Sequence, residues 1–169
     1  MVDVEDADSA VARPADLLAR LLEHDDIDRD GFRMSLWSGF YTGPVFAEIE
    51  RRYGLARDEN NVLFSLAYCS PLTAKSISDF LGRPKNSISR AVDSLLKKGL
   101  IEAETDVTDR RRILLTIRPA GRARHEQTLE VSKARERLML RSLDAEERKA
   151  LDAILAKLMR SAEDWIGPF

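Results

Sequence analysis

The residues best suited to chemistry in this chain are cationic. Arg110, Arg111 and Arg112 are consecutive, and Asp109 stands directly before them. A guanidinium is a planar fork of donors that fits phosphate oxygens and guanine edges. Upstream, Lys85, Asn86, Ser87, Ser89 and Arg90 gather cationic and hydrogen-bonding groups in one short stretch. Between Leu81 and His125 there are eleven Lys or Arg and five Asp or Glu, in a chain of 169 residues with a formal net charge of −2. A local basic stripe in an otherwise acidic chain is an electrostatic footprint for a phosphate backbone. A basic run alone is equally compatible with a solvated face, so the elements that carry these residues must decide.

Those elements follow from local pattern. Thr73 can cap a helix, because its hydroxyl accepts an orphan N–H at the start. Ile77, Phe80 and Leu81 follow at helical spacing and predict one apolar face. Gly82 supplies the stop, and Pro84 suits the first position of the next helix. In that second helix Ile88, Ala91, Val92, Leu95 and Leu96 share a face. Asn86, Arg90, Asp93 and Lys97 line the opposite one, flanked by Ser87 and Ser89. Gly99 ends it. A short strand over Leu100–Thr105 and a return strand with Ile113, Leu115 and Ile117 in period-two alternation enclose the arginine-bearing tip. Pro119 opens another helix. This order is the layout of a winged helix-turn-helix: a mainly α fold with a small β-hairpin wing, built to set one helix in a DNA major groove and a basic loop beside it.

With those residues in view, the chain resembles the MarR family of bacterial transcription regulators. Leu81-Gly82, then Ser87-Ile88-Ser89-Arg90-Ala91-Val92-Asp93, then Leu95-Leu96-Lys97-Lys98-Gly99-Leu100-Ile101 are similar to the family's recognition helix and the start of its wing. Asp109-Arg110-Arg111 resembles its wing-tip Asp-x-Arg motif, and Gly121-Arg122 the start of its fifth helix. The match is specific from about Thr73 to Arg122 and looser, but collinear, from about Leu36 to Ala162. Three positions depart from the pattern. Pro84 replaces a small polar cap, Ala103 replaces a frequent Arg, and Arg118 stands where Thr or Ser usually caps the fifth helix. The resemblance implies dimerisation through the terminal helices. It also implies a small aromatic acid or phenol bound between the long first helix and the DNA-binding lobe.

The organisation expected is a flexible acidic tail over 1–14, N-terminal helices over 15–57, a winged helix-turn-helix lobe over 58–118 and C-terminal dimerisation helices over 119–169. The long helix expected from about Phe32 to Tyr53 contains Gly43-Pro44, which predicts a kink. Asp58 can cap the helix after it, with Val62, Leu63, Leu66 and Ala67 inward. Asp144 and Glu147 have capping-box spacing for a last helix, whose Leu151, Ile154, Leu155, Leu158 and Met159 form an apolar stripe. Terminal stripes on both sides of a small lobe need cover, and a two-fold dimer supplies it, presenting two recognition helices to a palindromic operator.

Composition bounds the rest. The chain is 44% hydrophobic and 33% charged, as in an ordinary helix-rich globular protein. No apolar run approaches the roughly 20 residues of a membrane span. Met1–Ala10 is acidic, without the basic start and apolar core of a secretory signal. One cysteine, Cys69, excludes an internal disulfide and fits a reducing compartment. A cytoplasmic protein without membrane attachment is therefore expected. No nucleophile elbow, phosphate-cradling glycine loop or paired-carboxylate motif is present, so no catalytic residue, cofactor or enzyme activity is assigned. His24 and His125 lack ligand spacing, and the acidic run Asp25–Gly31 lacks the final Glu of a calcium loop, so no metal site is assigned. Cys69 reads as a small hydrophobe more readily than as a redox sensor. Trp37, Phe40 and Tyr41, with Phe32 and Phe46, crowd the long helix. They are candidates for the implied aromatic-ligand site, with core packing as the plainer alternative.

Two functional readings stand. The first is a homodimeric, sequence-specific DNA-binding transcriptional regulator: a repressor released by a small aromatic ligand and binding double-stranded DNA at a palindrome. Ser87, Ser89 and Arg90 would then reach base edges, with Lys85 and Asn86 at the groove mouth. Arg111 would enter the minor groove, held by Asp109, while Arg110 and Arg112 face phosphate or solvent. The second is a winged-helix protein–protein module without DNA binding, favoured by Asp93 and Ala103 and opposed by Arg90 and the wing arginines.

Overall fold

The computed structural model describes residues 14–23 and 29–164. The expected acidic tail and most of the acidic run after His24 lie outside them. The described residues are mainly helical, with an antiparallel hairpin among them. Its elements are α1 (Pro14–Glu23), α2 (Arg29–Tyr53), α3 (Arg57–Cys69), α4 (Ala74–Leu81), α5 (Lys85–Lys97), β1 (Ile101–Thr105), β2 (Ile113–Ile117), α6 (Pro119–Met139) and α7 (Ala145–Arg160), with a single 3-10 turn at Ala162–Asp164. They divide into two compact units, residues 1–40 and 41–169. The first holds α1 and the leading part of α2, and Trp37 and Phe40 are exposed.

The second unit holds the core. Val45 and Ile49 from α2, Val62, Leu63 and Leu66 from α3, Ile77 from α4 and Ile88, Ala91, Val92 and Leu95 from α5 are buried together. Leu55, Leu100, Ile101, Leu115 and Ile117 complete the cluster. The helix α3 is its axis, packing on α4, α5, α6 and β2. This is the amphipathic reading of α3 and α5 realised in space: apolar residues three and four apart face one partner, and polar residues are left outside.

The local signals act at most boundaries. Thr73 Oγ1 accepts the Ser76 N–H at 3.0 Å and starts α4. Gly82 ends it in the left-handed conformation, at φ 60°, which glycine adopts without steric cost. Asp144 caps α7, accepting from Glu146 and Glu147 amides at 2.8 and 2.9 Å, while Glu147 accepts the Asp144 N–H in return. The wing register pairs Ile101 with Ile117, Ala103 with Leu115 and Thr105 with Ile113.

Other expectations are corrected. Asp58 does not cap α3. Ala56 holds the cap position, Glu59 accepts its N–H at 2.7 Å, and Asp58 lies in the first turn with its carboxylate engaged elsewhere. Pro84 precedes α5 as its cap residue instead of occupying its first turn. Phe80 is 72% exposed, because the buried face of the short α4 is centred on Ile77 and Ser78. Ile113, at the wing-tip end of its strand, is also exposed. Helix α2 starts at Arg29, before the expected Phe32, and keeps Pro44 inside it. A third partner for the hairpin was not legible in the sequence: Leu72 bridges to Leu115 through N–H···O bonds of 3.1 and 2.8 Å.

The junction of wing and α6 is set by a close approach. A Cβ on Gly121 would lie 2.1 Å from the Leu100 carbonyl oxygen and 2.9 Å from Ile117 Cγ1. Only a residue without a side chain lets α6 sit this near the base of the hairpin. The Arg118 N–H donates to the same Leu100 carbonyl at 3.1 Å, and Pro119 supplies the first helical position with no side-chain cap.

Helix α6 meets α3 through His125. Its ring is 5% exposed and lies edge-on to Phe64 and Tyr68, at centroid distances of 5.9 and 5.5 Å. Neither ring nitrogen has a hydrogen-bond partner among the described residues. Burial, aided by the Arg122 charge and opposed by Glu126, pushes the imidazole pKa below its ordinary 6.5. The unfolded chain then binds the proton more readily than the folded one. This contribution to stability is complete above about pH 6.5 and is lost as pH falls below it. Urea midpoints measured from about pH 8 to about pH 5 are expected to decline on the acid side. His125→Phe is expected to flatten that decline. An identical acid-side slope in both proteins would assign the pH dependence to other groups.

Candidate nucleic-acid interface

One face of α5 is committed to α3, and the other is open. Lys85, Asn86, Ser89 and Arg90 are exposed and Ser87 is half-buried, so the five candidates on this helix lie at or beside its solvent side. Ser87 and Ile88 N–H groups donate to the Pro84 carbonyl at 3.0 and 3.2 Å, and no side chain caps the helix. Its positive end, with Lys85 in the first turn, is thus left for an outside acceptor. Arg90 Nε donates to the Asn86 carbonyl at 3.3 Å, which lays the guanidinium along the helix.

The basic stripe of the sequence divides in two. Arg83 is held by Asp58, Lys98 by Glu59 and Arg118 by Glu102. Arg122 and Arg124 donate to the backbone carbonyls of Ala67 and Tyr53. These cations serve the fold. Lys85, Arg90, Lys97 and Arg110 have no carboxylate within 4.0 Å among the described residues. The outward charge is therefore carried by the exposed face of α5 and by the wing.

The three wing arginines are not equivalent. The tip is closed by the Asp106 N–H donating to the Arg112 carbonyl at 2.9 Å and the Arg112 N–H donating to the Asp109 carbonyl at 2.8 Å. Asp109 Oδ1 accepts from the Arg111 backbone N–H at 3.1 Å and from its Nε at 3.3 Å. Arg111 itself stands almost wholly in solvent. Arg112 leans back toward Asp106 at 3.7 Å, and Arg110 is exposed. Asp106 was not singled out in the sequence, yet it organises the turn. It is buried, and its Oδ1 accepts from the Thr108 hydroxyl at 2.7 Å and N–H at 2.8 Å. Those bonds, with the nearby Arg112 charge, hold its carboxyl below the usual range. An Asp accepting from the amide two residues on is a side-chain mimic of a backbone turn, which the sequence Asp-Val-Thr permits but does not announce.

The first turn of α3 borders α5. Arg57, Asp58 and Glu59 face Ser87, Ala91 and Ser94 across an open cleft of about 460 Å³ that Arg90 also lines. Arg83 Nε and an Nη donate to the two Asp58 oxygens at 2.9 and 3.1 Å. Lys98 Nζ donates to both Glu59 oxygens at 2.6 and 2.8 Å and to the Gly54 carbonyl at 2.8 Å. Burial opposes the Glu59 charge, but bonds from Lys98, Ser94 and the Ala56 amide outweigh it and lower its pKa. Of the aromatic candidates, Trp37 and Phe40 are exposed, whereas Tyr41 packs against the core. Cys69 is exposed, which corrects its reading as a small buried group. Among the described residues no three His, Cys, Asp or Glu side chains gather as a metal site, and no helix is long and apolar enough to cross a membrane.

Known proteins share this fold. Residues 53–112 match a family model described as MarR family. A probable transcriptional regulator from Pseudomonas aeruginosa is 29% identical, with a TM-score of 0.64 over 78% of this chain and 97% of that one. Wild-type apo MarR from E. coli is 20% identical, with a TM-score of 0.69 over 79% and 98% of the two chains. BpsR of Bordetella bronchiseptica, whose DNA binding is regulated by 6-hydroxynicotinic acid, is 19% identical, with a TM-score of 0.66 over 78% and 99%. No curated protein sequence matches the chain.

The wing geometry has a direct test. Asp106→Ala removes both Thr108 acceptors, whereas Asp106→Asn keeps one side-chain oxygen for them. The Ala variant is expected to lose amide-exchange protection at Thr108 and the Asn variant to retain most of it. Because the folded carboxyl pKa is depressed, the stability these bonds contribute is complete above the ordinary carboxyl value of about 3.9 and is lost as pH falls from there through the lower folded value. Equal protection in the wild-type and Ala proteins would show that the backbone closes the turn unaided.

Proposed function

Since its winged helix-turn-helix is that of the MarR family of transcription regulators, we propose that the chain is a homodimeric, sequence-specific DNA-binding repressor released by a small aromatic ligand. The observation that carries this reading is the sorting of charge. The cations on the open face of α5 and at the wing tip are left without carboxylate partners or stand out in solvent, while Arg83, Lys98 and Arg118 are paired with carboxylates of the fold. In this reading Ser87, Ser89 and Arg90 meet base edges, and Lys85 and Asn86 stand at the groove mouth. Arg111 enters the minor groove with Asp109 aiming it, and Arg110 and Arg112 face the backbone. Outward cations carried together by a helix face and a wing tip suit a phosphate backbone, which favours this reading over a protein-binding module.

Dimerisation rests on α7. None of its residues is buried, and Ile154, Leu158 and Met159 are exposed on the stripe that Leu151 and Leu155 continue. Such a stripe at helical spacing is an interface motif, and a two-fold dimer matches two recognition helices to a palindrome. The ligand part rests on the family resemblance and on the regulation of BpsR by a small aromatic acid. It assigns Trp37, Phe40 and Tyr41 to the ligand. Linkage requires that operator DNA weaken this ligand by the factor with which the ligand weakens DNA.

Two measurements test the proposal. Selection from a random pool is expected to yield a preferred duplex, bound with an affinity that falls steeply with salt. Arg90→Ala is expected to lower affinity for that duplex by about 5- to 150-fold, the range of a good base contact, with a much smaller effect on random duplex. Absence of salt-dependent binding to any duplex would leave the protein-module reading in its place. Light scattering at micromolar concentration is expected to report a dimer. Leu151→Glu with Leu155→Glu is expected to give a monomer that no longer holds the selected duplex. A wild-type monomer would remove the dimer from the proposal.

A further inference from the structure

We infer that Asp58 and Glu59 are positioning residues that clamp the recognition helix at both ends and so set its sequence readout. This inference rests on the DNA-binding reading above. The two carboxylates are adjacent in sequence, yet they reach opposite ends of α5. Asp58 takes Arg83, two residues before the helix begins, through two guanidinium bonds. Glu59 takes Lys98, the residue that caps its end, through both oxygens. The base of the clamp is itself tied down. Glu59 also accepts the Ala56 N–H, Lys98 also donates to the Gly54 carbonyl, and the Arg57 guanidinium lies 4.9 Å from the Phe46 ring centroid.

Three consecutive residues thus grip α2 and the two ends of α5, and the two that grip α5 are acidic. Their sign is what makes the arrangement informative. A carboxylate beside a DNA interface repels phosphate, and these two also occupy Arg83 and Lys98, which otherwise add to backbone attraction. On charge alone both are unfavourable for affinity. Two-point ion pairing with fixed geometry gives orientation in exchange, because a bidentate guanidinium–carboxylate pair resists rotation as well as separation. Base-edge contacts depend on that orientation far more than phosphate contacts do. The backbone core between α3 and α5 fixes which face of the helix points out, whereas the two end pairs restrain its tilt.

The experiment uses the full chain and two duplexes of equal length, the preferred one from selection and one of random sequence. Asp58→Asn with Glu59→Gln removes two negative charges and weakens both clamps. If charge were the whole account, both duplexes would bind more tightly and by a similar factor. The clamp predicts that random-duplex affinity rises or holds while selected-duplex affinity falls, so that the selected-to-random ratio drops by about tenfold. Asp58→Arg alone is expected to lower the ratio, and Asp58→Arg combined with Arg83→Asp to recover it by restoring the pair in reverse. Melting temperatures are measured in parallel. Should the double variant fail to fold, Asp58→Asn alone carries the test, since it keeps one acceptor for the guanidinium. An unchanged ratio in a folded, pair-broken variant overturns the clamp, and so does a folded swap that recovers nothing. If the wild-type protein shows no preference between the two duplexes, the DNA reading itself fails and takes the clamp with it.

Discussion

Burial of one face of α5 against α3 decides what the rest of the molecule can do. Ile88, Ala91, Val92 and Leu95 lie inside the same cluster as Val62, Leu63 and Leu66. A helix with its apolar stripe buried has little freedom to rotate about its axis, because a turn of one residue would expose a leucine and bury a charge. Fully burying a Val, Leu or Ile side chain is worth roughly 1.5–3 kcal/mol, and Ile88, Val92 and Leu95 act together. The outward direction of Arg90 is therefore a consequence of core packing. The same core carries the hairpin, since Leu100, Ile101, Leu115 and Ile117 belong to it. Helix and wing are aimed from one seat.

Charge is then divided by geometry. The sequence presents one continuous basic stripe, and the fold splits it into cations that hold elements together and cations that remain outward. Arg83, Lys98 and Arg118 are of the first kind, and Lys85, Arg90 and Arg110 of the second. Counting the surplus between Leu81 and His125 pooled the two kinds. About half of the arginines and lysines in it are bonded to carboxylates or carbonyls of the protein.

What was legible in the sequence was local. Helical periodicity located α3 to α7, Thr73 and the Asp144–Glu147 box marked two helix starts, and alternation found β2. The Asp109–Arg111 pair was also legible, because its members are two residues apart. What stayed hidden was set by contacts across long separations. The Asp58–Arg83 and Glu59–Lys98 pairs span 25 and 39 residues, and a capping signal is the only message those carboxylates send locally. Leu72 reads as part of a loop until Leu115 is beside it. Phe80 read as buried because apolar spacing cannot tell how wide a short helix's buried face will be. Gly121 was seen as a motif residue, and its reason, the Leu100 carbonyl, became visible only in three dimensions.

The four carboxylates placed against this basic surface raise a question of magnitude. A unit charge about 10 Å from a phosphate in water is repelled by about 0.4 kcal/mol, and screening over a Debye length of about 8 Å reduces that further. A well-aimed bidentate contact to a base discriminates by roughly 1–3 kcal/mol. One correctly oriented arginine therefore outweighs several screened carboxylates. For a protein that needed only to stick to nucleic acid, Asp58, Glu59, Asp106 and Asp109 would be a net loss. For one that must choose among sequences, they are the means by which flexible cations acquire a fixed direction. Each of the four holds a basic side chain or shapes the turn that carries one. Acidic residues embedded in the basic region are thus what the proposed specificity requires, and a purely cationic surface would lack it.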